Sequence, residues 1–274
     1  MTSITAFIGS GNMARSLIGG LVDSGTAPES IHASDPDAAQ RERLTEQFKV
    51  RTCDDNTTVA EIADVLVMAV KPQVMREALL PLGPILRERR PLLISIAAGV
   101  TIDSMTAWIG GQPAIVRVMP NTPALVGAGA SGLFANEAVS NTQREVAQSI
   151  MQAVGVSVWV SREALIDTVT AVSGSGPAYF FYLMEAIEAA GLAGGLAPDI
   201  ARRLTLQTAL GAAKLAIASD EPVAELRRRV TSPGGTTERA IQFLESAGAS
   251  ETIQRAVEAA RIRSEELAQL GQED

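Results

Sequence analysis

The chain is predicted to be an α/β protein, with a doubly wound, mostly parallel sheet in its first half and an all-α second half. Three observations predict this. Up to about Arg162, short apolar strand patterns alternate with helix-length stretches. Beyond that point only helical patterns remain. The first strand pattern also runs directly into a glycine-rich turn that opens a helix. Repeated strand–helix units of this length imply parallel strands joined by right-handed crossovers. Ligands of such sheets sit beyond the carboxyl ends of the strands, so the strand-end residues are the ones to read for chemistry.

The first strand covers residues 4–8, with Ile4, Ala6 and Ile8 around Phe7, as in a parallel strand buried on both faces. Gly9, Ser10, Gly11, Asn12, Met13 and Ala14 follow, and 16–22 reads as helix. This is G-x-G-x-x-A between a strand and a helix, the Rossmann dinucleotide fingerprint. Gly9 permits the tight turn, and Gly11 lets a pyrophosphate approach the backbone. Ala14 keeps the helix near the strand, and the free N–H groups at the helix start face the phosphates. Read blandly, the same glycines make an ordinary strand–helix turn.

Further strands are predicted at 30–34, 64–70, 92–96, 114–119, 131–134 and 156–160. Helices are expected over 37–48, where Leu44 and Phe48 share a face, and over 59–63, 73–82, 101–108 and 142–153. In the second half the helical stretches are 177–192, 198–219, 223–229, 236–247 and 250–270, the last with Ile253, Val257, Ala260 and Leu267 on one face. The helix after Pro177 is apolar almost all round and so demands burial on every side. A lone helical domain of this size has little interior to give it, which predicts a homodimer built on these Ala- and Gly-rich helices.

Composition narrows the function classes. The 274 residues are 46% hydrophobic but only 4% aromatic, so the core is aliphatic and Ala-rich. A net charge of -8 gives no basic footprint for nucleic acid. The longest apolar runs, such as 92–100, fall far short of the ~18 residues of a membrane span. No export signal is visible at the N-terminus, and the single cysteine, Cys53, makes no internal disulfide or metal cluster. The expectation is a cytoplasmic protein with no metal site, no membrane and no nucleic-acid partner.

Each strand end offers candidates. After the second strand comes His32-Ala33-Ser34-Asp35-Pro36-Asp37, with Arg41 and Arg43 beyond. An acidic residue there bonds ribose hydroxyls in NAD enzymes, whereas small polar and basic groups take the 2′-phosphate of NADP. Ser34 suits a phosphate and Asp35 stands one residue late, so these residues leave the choice between NADPH and NADH open. Asn56 suits either the adenosine or the cap of the helix expected at Val59. Ala69-Val70-Lys71-Pro72 ends the next strand beside the pyrophosphate, and Lys71 is one of three lysines. Ser95-Ile96-Ala97-Ala98-Gly99 leaves room for a nicotinamide ring. Pro120 and Pro123 fix the loop that presents Asn121 and Thr122. In the second half, Thr231-Ser232-Pro233-Gly234-Gly235-Thr236-Thr237 opens a helix and offers N–H groups and hydroxyls to a small anion; alternatively it is a helix cap. A similar turn, Ser173-Gly174-Ser175-Gly176-Pro177, opens the apolar helix and makes Ser175 a candidate substrate contact.

The motifs GSGNMA, AVKP, SIAAGV, MPNTP, SGSGPAY and TSPGGTT, in this order across nearly the whole chain, resemble those of pyrroline-5-carboxylate reductases. The resemblance implies reduction of a cyclic imine to L-proline by NADPH, with NADH as the alternative. It implies a Rossmann domain over 1–162 and a helical substrate-binding and dimerisation domain over 163–274, with dimers that can build decamers. It makes Ser232, Gly234, Gly235, Thr236 and Thr237 the carboxylate-binding loop, with Thr237 on the ring nitrogen as the catalytic residue. It makes Gly9 to Ala14, Ser34, Asn56, Ala69, Val70, Lys71, Pro72 and Ala97 cofactor contacts, to which the loop reading adds Asn121.

The residues agree with that chemistry. A hydroxy-acid dehydrogenase wants a His or Lys at the reacting oxygen, and the only histidine, His32, lies at the adenosine end. A pyrroline nitrogen is basic enough to arrive protonated and needs no strong acid. The rival within enzymes is a hydroxyacid dehydrogenase of the 6-phosphogluconate type, whose lysine would be Lys214. The rival outside enzymes is an NAD(P)-sensing module. TSPGGTT has no job in the first, and the small residues at 97–99 argue against the blocked pocket the second requires. Arg227, Arg228 and Arg229 read as a solvated helix face.

Overall fold

The computed structural model describes residues 3–273. It divides into two compact units, one running to Ser175 and taken up again from Ala260, the other Gly176–Ala259.

The first unit is built on an eight-stranded sheet of order β3-β2-β1-β4-β5-β6-β7-β8. In chain order, β1 (Thr5–Ile8) leads to α1 (Asn12–Asp23), β2 (Ile31–Ser34) to α2 (Ala38–Phe48), and β3 (Arg51–Cys53) to α3 (Asn56–Ile62). Then β4 (Val65–Met68) precedes α4 (Met75–Leu79) and α5 (Gly83–Arg89), and β5 (Leu92–Ser95) precedes α6 (Ile102–Ile109). β6 (Ile115–Met119), β7 (Gly129–Ala135), α7 (Asn141–Gln152), β8 (Gly155–Trp159) and α8 (Leu165–Val169) follow, and a π-turn over Thr170–Gly174 closes the series.

Side chains alternate across each strand, and here they feed two separate cores. Phe7, Val67, Ile94 and Val118 face one side with Leu17, Ile18, Leu44 and Met151. Ala6, Ile8, Leu66, Met68 and Leu93 face the other with Val59, Met75, Leu79 and Met105. β4 and β5 are buried throughout, as expected of central parallel strands covered by helices on both faces.

Every pairing is parallel except β6 with β7, where Val116 opposes Ala135. Only a short 3₁₀ turn, Thr122–Val126, joins these two strands, too little chain for a parallel crossover. β3 escaped sequence reading because it has three residues and no apolar alternation. The helix expected over 73–82 is broken by 3₁₀ turns, and a separate α5 begins at Gly83-Pro84 with proline at its start. α3 starts at Asn56, earlier than expected, because Asp55 caps it by accepting from the N–H groups of Thr57 and Thr58.

Two charged residues of this unit are buried among the described residues, Arg117 and Asp167. Arg117 on β6, 2% exposed, donates to Glu163 Oε1 at 2.9 Å. The same oxygen accepts the Ile102 N–H at the start of α6 at 2.8 Å. Asp167 of α8 lies 3.9 Å from the guanidinium and accepts from Ser264 Oγ at 2.7 Å.

The second unit is helical: α9 (Gly176–Ala193), α10 (Pro198–Ile217), α11 (Val223–Arg229), α12 (Thr236–Ser246) and the first part of α13 (Ala249–Glu273). α9 and α10 pack closely; a Cβ on Gly191 would stand 3.3 Å from that of Ala201. Within the single chain α9 buries only Gly176 and leaves Phe180, Phe181, Tyr182 and Leu183 exposed. Among the described residues no helix is long and apolar enough to cross a membrane.

Removing one partner of a buried ion pair leaves the other charge uncompensated. Arg117→Ala is therefore expected to destabilise the chain by about 3 kcal/mol, read as a lower urea midpoint.

Candidate active site

The cofactor candidates converge on the ends of β1, β2 and β4. β1 stops at Ile8, and Gly9 turns the chain with φ +93° while its N–H donates to Ser34 O at 2.8 Å. A Cβ at Gly9 would lie 2.8 Å from Ala69 O, so glycine is required both by the backbone angle and by the approach of β4. Gly11 differs: nothing lies within 4 Å of a Cβ built on it. It caps α1 with no side chain on the first N–H groups. A bare turn opening a helix, with open space above Gly11, fits a pyrophosphate.

Around this turn Ser10 and Ala14 are buried, Asn12 is exposed and Met13 half-buried. Ala69, Val70 and Pro72 are half-buried beside Gly9, and Lys71 is exposed. Ala97 is buried at the end of β5. Ser34, read as a phosphate acceptor, is fully buried, and its hydroxyl donates to Asn56 Oδ1 at 2.7 Å. Its role there is to hold Asn56, the half-buried first residue of α3. Asn121 is likewise spent internally. Its Oδ1 accepts from the Ala130 N–H at 2.8 Å and its Nδ2 donates to Ser173 O at 2.9 Å, so it braces β7 and the turn before α9.

Asp35 lies just past the end of β2. It turns back to the glycine loop, and Oδ2 accepts the Ser10 N–H at 2.8 Å. The fact that the residue just after a strand is free to turn either way hid this from the sequence. His32 lies in the middle of β2 beside Arg51 of β3. Burial, then the Arg51 guanidinium, hold its imidazole below the usual 6.5, while a hydrogen bond to the Glu29 carbonyl acts the other way. A cavity of about 610 Å³ between α1 and the 122–127 turn, lined by Arg15, Gly19, Gly20, Phe48 and Val126, contains none of the candidates.

In the helical unit, the Ser232–Thr237 turn is shaped by Gly234 at φ +72° and by Gly235, whose N–H donates to Ser232 O at 3.0 Å. One of its N–H groups is taken: Gly234 donates to Glu238 Oε2 at 2.8 Å. The acidic residue three places into α12 was the sequence signal for that cap. Ser232 and Thr236 are exposed and Thr237 is half-buried. No side chain caps α12 at Gly235, which leaves the Thr236 and Thr237 N–H groups without a helical acceptor. Ser175 is half-buried, and its N–H donates to Thr170 O. The three arginines of α11 pair with Glu245, Glu225 and Glu221, and Lys214 is exposed on α10.

Comparison with known proteins gives this geometry its context. The chain is 52% identical to a pyrroline-5-carboxylate reductase of Pseudomonas aeruginosa, over 97% of its own length and 98% of that protein. The chain belongs to the pyrroline-5-carboxylate reductase family. A family model described as pyrroline-5-carboxylate reductase dimerisation matches residues 163–267, and one described as NADP oxidoreductase coenzyme F420-dependent matches residues 4–99. The solved reductase of Coxiella burnetii superposes with a TM-score of 0.94 at 46% identity, covering 98% of this chain and 99% of that one. The Plasmodium falciparum reductase, solved with NADP bound, gives 0.85 at 31% identity, covering 97% and 98%.

Two glycine substitutions separate folding from binding. Gly11→Ala is expected to leave the melting temperature unchanged and to weaken NADPH binding roughly tenfold or more, because the new methyl enters the pyrophosphate space. Gly9→Ala is expected to lower the melting temperature as well. Thermal melts and fluorescence titration with NADPH check both.

Proposed function

We propose that the protein reduces the cyclic imine 1-pyrroline-5-carboxylate to L-proline with NAD(P)H, the closing step of proline synthesis, in the cytoplasm. The observation that carries this is near full-length identity of 52% to a protein of that activity, supported by an open pyrophosphate turn at Gly11.

Held by the Gly9–Ala14 turn and the 69–72 segment, a reduced nicotinamide dinucleotide would supply the hydride for the imine carbon. What the protein must do is hold the substrate's carboxylate, fix its ring and exclude water. Ser232, Gly234, Gly235, Thr236 and Thr237 receive the carboxylate at the start of α12, where uncapped N–H groups favour an anion. Ser175 adds a further substrate contact at the turn before α9. Thr237 Oγ1 accepts the N–H of the protonated ring nitrogen and orients the C=N bond. No protein acid is required, since the nitrogen arrives with its proton, and His32 is occupied within the sheet. Gly9, Ser10, Gly11, Asn12, Met13, Ala14, Ala69, Val70, Lys71, Pro72 and Ala97 hold the dinucleotide. Ser34 and Asn121 act through their neighbours. Residues 1–162 form the cofactor domain and 163–274 the substrate and dimerisation domain. The exposed aromatic row of α9 is the seam of a homodimer, and dimers are the units of a decamer.

Purified protein is expected to oxidise NADPH when 1-pyrroline-5-carboxylate is added, followed by loss of reduced-nicotinamide absorbance. Thr237→Ala is expected to lower kcat/KM about 10- to 100-fold, the worth of one hydrogen bond to a charged group, and Thr237→Ser to restore most of it. No oxidation by a protein that still binds cofactor would reject the reading.

Light scattering at micromolar concentration is expected to give at least twice the chain mass of 28.7 kDa. A monomer would contradict the α9 seam.

A further inference from the structure

Within an α-helix each carbonyl accepts the N–H four residues on. For the Ser173 carbonyl that position is Pro177, which has no N–H and whose ring crowds a carbonyl four places back. The chain widens here into the π-turn over Thr170–Gly174, and the Ser175 N–H donates to Thr170 O at 2.8 Å. Such turns are rare and concentrate at functional sites.

Asn121 offers the Ser173 carbonyl a donor from outside the helix. Its Nδ2 reaches Ser173 O at 2.9 Å, while its Oδ1 accepts the Ala130 N–H of β7 at 2.8 Å. The side chain is 8% exposed, and Pro120 and Pro123 stiffen the backbone on either side of it. Met119, the last residue of β6, presses on the same turn: its Cε lies 2.6 Å from where a Cβ on Gly174 would stand. The turn is therefore held from β6 and β7, and Ser175 follows it directly, half-buried.

We propose that Asn121 is a positioning residue for the substrate, standing in for the amide that Pro177 lacks and so presenting Ser175 to the imine in one orientation. It acts on the substrate through Ser175 and not on the dinucleotide. This rests on the reading of Ser175 as a substrate contact of an imine reductase.

The test is a double-mutant cycle in the full-length protein with 1-pyrroline-5-carboxylate and NADPH. Asn121→Asp keeps an acceptor for the Ala130 N–H and withdraws the donor from Ser173 O. Asn121→Ser withdraws the donor without adding charge, and is read in the same way if the first variant fails to fold. The expected result is a KM for the imine raised about five- to tenfold, with NADPH affinity by fluorescence titration unchanged within twofold. A substitution that only loosened the fold would shrink the active fraction, lowering kcat and leaving KM alone. In the Ser175→Ala background the Asn121 substitution is expected to add less than twofold, because the hydroxyl it positions is gone. Weakened NADPH binding, an unchanged imine KM, or a full additional loss on top of Ser175→Ala overturns the proposal. A wild-type KM in Ser175→Ala alone also overturns it, with imine reduction left standing. A wild type that binds NADPH but does not oxidise it with the imine rejects the reductase reading and the proposal together.

Discussion

The approach of two backbones at Gly9 governs the first unit. β1 lies between β2 and β4, and its last residue hands over to a turn whose N–H reaches Ser34 O on one side. On the other side a Cβ on that glycine would stand 2.8 Å from Ala69 O. Any larger residue there would push β4 away or swing the turn off its strand. The open space above Gly11, the position of Ser10 under Asp35 and the closeness of the 69–72 segment all follow from this single tight passage. Two cores packed on opposite faces hold the sheet rigid beneath it, so the turn is a fixed feature rather than a loop that must be ordered by its ligand.

Much of this was legible in the sequence because burial on both faces writes long apolar runs. The strands at 64–70 and 92–96 were readable for that reason, and so was the glycine turn between a strand and a helix. What escaped reading lay where local signals are short or ambiguous. β3 carries three residues at the sheet edge with Arg51 exposed. The direction of β7 depends on how much chain precedes it, not on its own composition. Ser34 and Asn121 were read correctly as strand-end polar residues, but residue type does not say whether a hydroxyl or amide faces a ligand or a neighbouring strand. Asp35 is a further case: its carboxylate accepts the Ser10 N–H, a donor that sequence alone does not place.

The helical unit presents a different economy. α9 has apolar residues on every face, and packing with α10 covers only part of them. Phe180, Phe181 and Tyr182 stay open in the single chain at 65%, 63% and 76% exposure. A patch of that kind on a folded protein marks an association surface. Each arginine of α11 is paired with a glutamate, while the 232–237 turn opens α12 with no side-chain cap on its first N–H groups.

The Asp167–Ser264 hydrogen bond has a consequence for how the chain is made. The sheet unit is discontinuous in sequence, since residues beyond Ala260 pack with residues before Ser175. During synthesis, which runs from the N-terminus, all eight strands emerge long before Ser264 does. Until then the carboxylate of Asp167, near the buried Arg117, lacks one of its native partners. Final consolidation of the cofactor unit therefore waits until the helical unit between its two segments has been translated.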